Sequence, residues 1–410
     1  MMMMMRGVAA QRELAYGAMI KGKERLVNYH FKELLITKEQ SIPHEGGAGE
    51  LDEAPTIPQS KPDLVDPLTV DTPDDPSKKK SRITVRSADF DVEVLNPRRV
   101  KIGSTASGRI RDPYKHFNTD FPRRGEVVDY TILEGIEASQ IWLSLSDDSV
   151  EKIIEEYQAM GNEAASEAEY AAFAMEKFFK RQDRHVNIPS DRMWRTRRTI
   201  SLFCPPDDSD WFTPPSFEMV QREFKFDLRP DCQYWLSLAG FNPKYRGEVG
   251  NVVYVHKYVI TCPYFTIEFK KQNESAEKAR IQAAASASIA LYNRFLLKEK
   301  ALNATSTPWT DSHKNQVRHY VITFVGSKVN VWILEADFGG DGDDLWNGCS
   351  MSVLWQGNCI SESVVKQLEK WINEIHRWGL SQHATDCQQD VKRILQEGDV
   401  DTSLDDIRTG

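Results

Sequence analysis

The stretch Cys262-Pro263-Tyr264-Phe265-Thr266-Ile267-Glu268-Phe269-Lys270-Lys271 decides how this 410-residue chain is read. From Tyr264 to Phe269 it is a short run of aromatic and β-branched residues, the pattern of a strand buried on both faces. Successive side chains of a strand alternate between faces, so Glu268 and Lys270 project from the same one. Charge in such a strand is costly unless a metal, a counter-charge or a polar ligand compensates it. A surface pair on an amphipathic strand is the plainer reading, but apart from Thr266 the run shows little of a wet face.

Downstream, a long helix is predicted from about Glu274 to Lys300. Its stripe of Ala279, Ala283, Ala287 and Ala290 lets it lie close against a sheet. Tyr320–Val325 and Val329–Leu334 flank Gly326-Ser327 as a hairpin with a two-residue turn. A glycine-aspartate loop follows at Asp337–Asp344. Ser361 caps an amphipathic helix ending near Trp378, and residues 385–410 read as a polar, frayed tail. Upstream, Val252–Ile260 and Phe224–Phe241 are strand-like, the latter broken at Arg229-Pro230-Asp231. Ser149–Lys180 is helical with a Gly161-Asn162 break, and Ile83–Val85 and Phe90–Leu95 alternate like edge strands. This order predicts a mixed α/β (α+β) domain over 83–384, with its core at about 220–335.

Ahead of that domain, residues 41–82 carry seven prolines and few large apolar residues, the composition of a disordered linker. Residues 1–40 are expected to hold an N-terminal helix. Lys78-Lys79-Lys80-Ser81-Arg82 closes the linker and reads either as a nuclear-import signal or as a solvated charge run.

Hydrophobic residues make up 40% and charged residues 28%, as in ordinary soluble proteins. A net charge of −9 gives no whole-molecule attraction to polyanions, so any such contact must be a local patch. Cys204, Cys232, Cys262, Cys349, Cys359 and Cys387 show no zinc spacing and suit a reduced, intracellular protein. No apolar run is long enough for a membrane helix, and the Met1–Met5 run lacks the apolar stretch of a secretory signal. Neither GxxxxGK[ST] nor GxSxG is present, which leaves NTPase and serine hydrolase readings without support.

Pro230-Asp231 precedes the charged strand, and Gln282 lies on the helix that leaves it. Two carboxylates, completed by a backbone carbonyl and waters, suit Mg²⁺ or Mn²⁺, which generates hydroxide from bound water and offsets phosphoryl charge. A lysine beside them can donate to the scissile phosphate or to the attacking water. Separately, eight basic residues (Lys177, Lys180, Arg181, Arg184, Arg192, Arg195, Arg197 and Arg198) face three acids between Glu176 and Arg198. Interleaved Trp194 and His185 suit a surface that holds a phosphate backbone and stacks bases. The other reading of this stretch is a solvated helix end whose arginines pair with acids elsewhere.

Pro230-Asp231…Glu268-Phe269-Lys270 resembles the signature of the PD-(D/E)XK, or restriction-endonuclease-like, nuclease superfamily, over under a third of the chain. The flanking strand, alanine-rich helix and hairpin are similar to those of fungal proteins that carry such a domain. The resemblance implies a mixed sheet flanked by helices and metal-dependent hydrolysis of phosphodiester bonds, DNA ahead of RNA. It also implies Asp231 and Glu268 as metal ligands, Lys270 as the catalytic lysine and Gln282 as a supporting residue. The expected partners are nucleic acid and, as an open option, a second copy of the chain. The family often adds a helical Glu, for which Glu155, Glu156, Glu218 and Glu223 compete, and Asp227 is an alternative to Asp231. A catalytically inactive relative that only binds is the rival reading. The aspartates at 337–344 do not fit an EF-hand register. His256, His313 and His319 lack metal spacing, and Trp332, Trp346, Trp355, Trp371 and Trp378 read as core.

Overall fold

Eight strands form one mixed sheet: β1 (Val100–Ile102), β2 (Thr196–Ile200), β3 (Cys232–Ser237), β4 (Val255–His256), β5 (Ile260–Lys270), β6 (Arg318–Val325), β7 (Lys328–Phe338) and β8 (Trp346–Asn358). The structure, a computed structural model, describes residues 83–103, 112–118, 128–133, 135–136, 139–183, 194–206, 210–220, 222, 224, 226–339, 345–398, 400 and 402. The expected helix over 1–40, the linker over 41–82 with its basic cluster, Asp341–Asp344 and the last eight residues lie outside them.

The strands run in the order β1-β8-β7-β6-β5-β3-β2, with β4 on β5. β5 and β6 are parallel, as are β1 and β8, and the other pairs are antiparallel. Parallel neighbours need a crossover, and the helix α3 (Ala276–Ala304) supplies the one from β5 to β6. The remaining long helices are α1 (Asp147–Asn162), α2 (Glu167–Lys177), α4 (Glu362–Trp378) and α5 (Ala384–Glu397).

β5 is buried along its whole length, as its aromatic and β-branched run requires. Phe265, Ile267 and Phe269 join one apolar cluster with Ile322, Phe324 and residues of α1, α2 and α4. A second cluster joins Ala283, Ala287 and Ala290 of α3 to Val321, Trp332 and Trp235. The four alanines of the predicted stripe are at most 1% exposed. Every residue from Ala283 to Leu291 is buried, because α5 and the 211–212 segment also pack on α3. The β6–β7 turn is Gly326-Ser327 as expected; Gly326 has φ +58°, and a Cβ there would meet Gln272 at 2.9 Å. The five tryptophans read as core are all buried.

Five expectations are corrected. Ile83–Val85 forms no strand. Phe90–Leu95 is a helical turn, not an edge strand: Asp89 and Glu93, four apart, both bind Arg222, while Val94 and Leu95 turn inward. Residues 384–397 form α5, not a frayed tail, with Cys387, Asp390 and Val391 fully buried. Within Phe224–Phe241 only Cys232–Ser237 is a strand, and of Val252–Ile260 only β4 and the first residue of β5 are. No helix among the described residues is long and apolar enough to cross a membrane.

Candidate active site at the end of strand β5

Asp231 directly precedes β3, and the antiparallel register pairs Cys232 with Ile267. One step further along, Asp231 falls opposite Glu268. Its Oδ2 accepts the Phe269 backbone N–H at 2.8 Å, which holds the carboxyl against β5. Glu268 is 4% exposed. Burial first, and then the adjoining Asp231 carboxylate, pushes the Glu268 carboxyl well above the usual carboxylate range, with Lys270 pulling the other way. The structure thus brings together the two carboxyls that the Pro230-Asp231…Glu268 resemblance implied as partners, Glu268 buried and Asp231 partly exposed. Asp227 is elsewhere, in an exposed ion pair with Arg229.

Lys270 has a side chain only 8% exposed. Its ammonium donates to the Phe269 carbonyl and, at 3.3 Å, to Glu167 Oε1. Glu167 is the first residue of α2, placed there by a capping box in which Ser166 and Glu169 satisfy each other's backbone. The helical acid beside the lysine is therefore Glu167. Glu155 and Glu156 are exposed on α1, Glu218 is exposed in a loop, and Glu223 lies outside the described residues.

A cavity of about 690 Å³ opens over this end of β5. Glu167, Lys270 and Gln282 line it, the last from the second turn of α3, so the expected supporting amide reaches the same space. Arg86, Lys271 and Lys278 add three exposed cations to the wall. These were missed in the sequence, although Lys271 directly follows the charged pair and Lys278 lies just inside the helix.

The basic stretch at 176–198 does not form the expected stacking surface. Trp194 is 1% exposed and meets Phe241 edge-on, with ring centroids 5.2 Å apart, so it is a core residue and not a base platform. The Arg198 guanidinium donates to the carbonyls of Met175 and Phe179, tying β2 to the end of α2. Lys180 donates to the Trp142 carbonyl at 2.8 Å, and Lys177 pairs with Glu176 at 2.7 Å. Arg181 is exposed, Arg195 and Arg197 stand half-buried on or beside the edge strand, and Arg184 and Arg192 lie outside the described residues. Among the histidines, His319 is buried against Thr266 at 2.8 Å and His256 bonds Tyr254 at 3.1 Å, both structural roles.

Adjoining carboxyls, one of them wholly buried, form a donor set that a hard divalent cation satisfies. Among the described residues no group of three or more His, Cys, Asp or Glu side chains is gathered as a ready ligand shell. Water and a substrate oxygen would complete the coordination, as is usual for Mg²⁺. Comparison with protein-family models, with curated proteins and with solved structures gave no match for this chain.

Proposed function

We propose that this chain is a divalent-metal-dependent nuclease that hydrolyses phosphodiester bonds in nucleic acid, DNA ahead of RNA. The observation that carries the proposal is the meeting of the Asp231 and Glu268 carboxyls near Lys270. Lys270, but neither carboxyl, also lines the cavity edged by Arg86, Lys271 and Lys278. Asp231 and Glu268 would hold Mg²⁺ or Mn²⁺. Such an ion, when bound, supplies charge neutralisation at a phosphoryl oxygen and a water of lowered pKa. Lys270 donates an N–H to the phosphate as negative charge develops on it. Glu167 acts through Lys270 as a positioning residue, and Gln282 offers an amide from the facing wall. Arg86, Lys271 and Lys278 hold flanking phosphates and set the register of the strand.

The test is digestion of supercoiled plasmid and of single-stranded RNA with Mg²⁺ or Mn²⁺ by wild type, Lys270→Ala and Glu268→Gln. The expected loss in each variant is about 100-fold or more. Equal cutting by all three proteins removes the roles given to these residues. A second reading, a nucleic-acid binding module that keeps the architecture without the chemistry, draws on the lack of a ready three-ligand group among the described residues. Binding of DNA by wild type with no cutting under either metal selects it.

A further inference from the structure

A larger cavity, of about 980 Å³, opens at the same end of the sheet, and Glu274 stands in the wall of both. Its position relative to the carboxylates follows from strand register. Glu268 on β5 pairs with Thr323 on β6, Thr323 with Asn330 on β7, and Asn330 with Gln356 on β8. The row nearest the sheet's end runs Lys270, Val325, Lys328, Asn358. Strands lie about 4.8 Å apart, so Asn330 stands two strands, or about 10 Å, from Glu268. The adjoining row Ile267, Ile322, Val331, Trp355 is wholly apolar. That row points to the opposite face, so on the face of Glu268 the β7 and β8 positions near the sheet's end carry the amides of Asn330, Gln356 and Asn358. Gln158, Asn162, Gln272 and Asn273 bring four more amides to the same space from outside the sheet.

Two polar atoms on side chains lining this cavity are buried without a hydrogen-bond partner: the Tyr157 hydroxyl, on a residue 1% exposed, and Asn358 Oδ1. A buried polar group left unpaired is destabilising, and a ligand that presents an acceptor to one and a donor to the other relieves both. Among the described lining residues only Glu274 and Lys328 carry charge, so the fitting ligand is a neutral edge of alternating donors and acceptors. Asn and Gln side chains pair with both the N6 donor and the N7 acceptor of adenine. The volume is at the upper end of ligand cavities, which run to about 1,000 Å³.

We infer that this cavity receives an unpaired nucleobase, adenine ahead of the others, from the nucleic acid strand whose phosphate lies at Lys270. The inference rests on the nuclease reading only for that last neighbour. It adds a recognition step: the strand is read by base at the amide cavity and held by phosphate at the basic one.

The test is fluorescence anisotropy with labelled oligodeoxyadenylate and oligodeoxythymidylate, in chelator so that no cleavage occurs, on the full chain. Wild type is expected to prefer the adenine strand by about 10-fold. Asn330→Ala, Gln356→Ala and Asn358→Ala should each reduce that preference by about 5-fold. Asn330 and Gln356 are partly or fully exposed, so their variants keep the test valid where Asn358→Ala fails to fold. Lys270→Ala should weaken both strands alike and leave their ratio unchanged. The inference is overturned by equal affinity for the two strands, by no binding of either, or by a preference that survives Asn330→Ala and Gln356→Ala. Preference without plasmid cleavage leaves it standing and removes the nuclease reading; cleavage without preference does the reverse.

Discussion

Two of the buried groups of charged side chains among the described residues are built on opposite plans. Between α3 and α5, Asp390 accepts from Arg294 and from Lys298, each at 2.6 Å, on side chains at most 3% exposed. Asp386 adds a second acid close to both cations. Opposite charges meet there, and the group locks two helices together. At the end of β5 a carboxyl meets a carboxyl, and the nearest cation, Lys270, is shared with Glu167. A matched cluster can be explained by architecture alone. An acid held against another acid has no such account in architecture, and it is the contact on which the nuclease proposal rests.

The largest expected effect breaks the matched cluster. Asp390→Ala leaves Arg294 and Lys298 buried without their acceptor and should cost about 3–5 kcal/mol in urea denaturation. A loss under ~1 kcal/mol would mean that water reaches the cations and that the cluster is not dry. Close behind comes Trp194→Ala, also expected to cost about 3–5 kcal/mol as a core truncation. Unchanged melting with weaker nucleic-acid binding would instead return Trp194 to the surface role expected from sequence.

These two residues also show where sequence reading ends. β5 was legible because five of the six positions from Tyr264 to Phe269 are aromatic or β-branched, and Glu268 and Lys270 were conspicuous against them. The β6–β7 hairpin was legible from Gly326, whose φ suits glycine. β8 was not: its thirteen residues include Asn347, Gly348, Ser350, Ser352 and Gln356, and its pairing with β7 is broken by register shifts. α5 was hidden by its polar composition, because Asp390 is buried through partners on α3 that lie more than ninety positions away. Glu167 is 103 positions from Lys270, so no spacing could link them; the Ser166…Glu169 capping box was the one local sign that a helix begins there. Arg198 and Trp194 were grouped as neighbours along the chain, yet one caps a helix end and the other fills the core.

A smaller effect separates the two plans by pH. His319 and His376 are buried, and burial pushes each imidazole down to about 3. Both are neutral in the folded chain and protonate only on unfolding, so their contribution is complete above about pH 6.5 and is lost as pH falls toward 3. Each should add about 1.4 kcal/mol per pH unit to the slope of stability in that window. His319→Asn, compared with wild type between pH 6.5 and 5, is expected to remove that increment from the slope. Glu268 works in the opposite sense: its raised pKa favours the folded state at acid pH, and that advantage is lost as pH rises above the ordinary carboxylate range.

The smallest stability change is the most telling for the carboxylate pair. Glu268→Gln keeps the shape and removes a carboxyl whose raised pKa costs stability as pH rises to neutral, so it should stabilise the metal-free protein at neutral pH by roughly 0.5–2 kcal/mol. Adding Mg²⁺ or Mn²⁺ should then reverse the order. Wild type gains stability as ligand binding requires, by RT ln(1 + [L]/Kd), while the variant, lacking one of its two carboxylates, gains less. Thermal melting of both proteins across a metal titration reads this without any assay of activity. A crossing of the two curves means the repulsion is there for a cation to relieve. If Glu268→Gln is instead the less stable protein at every metal concentration, the Asp231–Glu268 contact is a shared-proton hydrogen bond that serves the fold, and both buried groups are architecture.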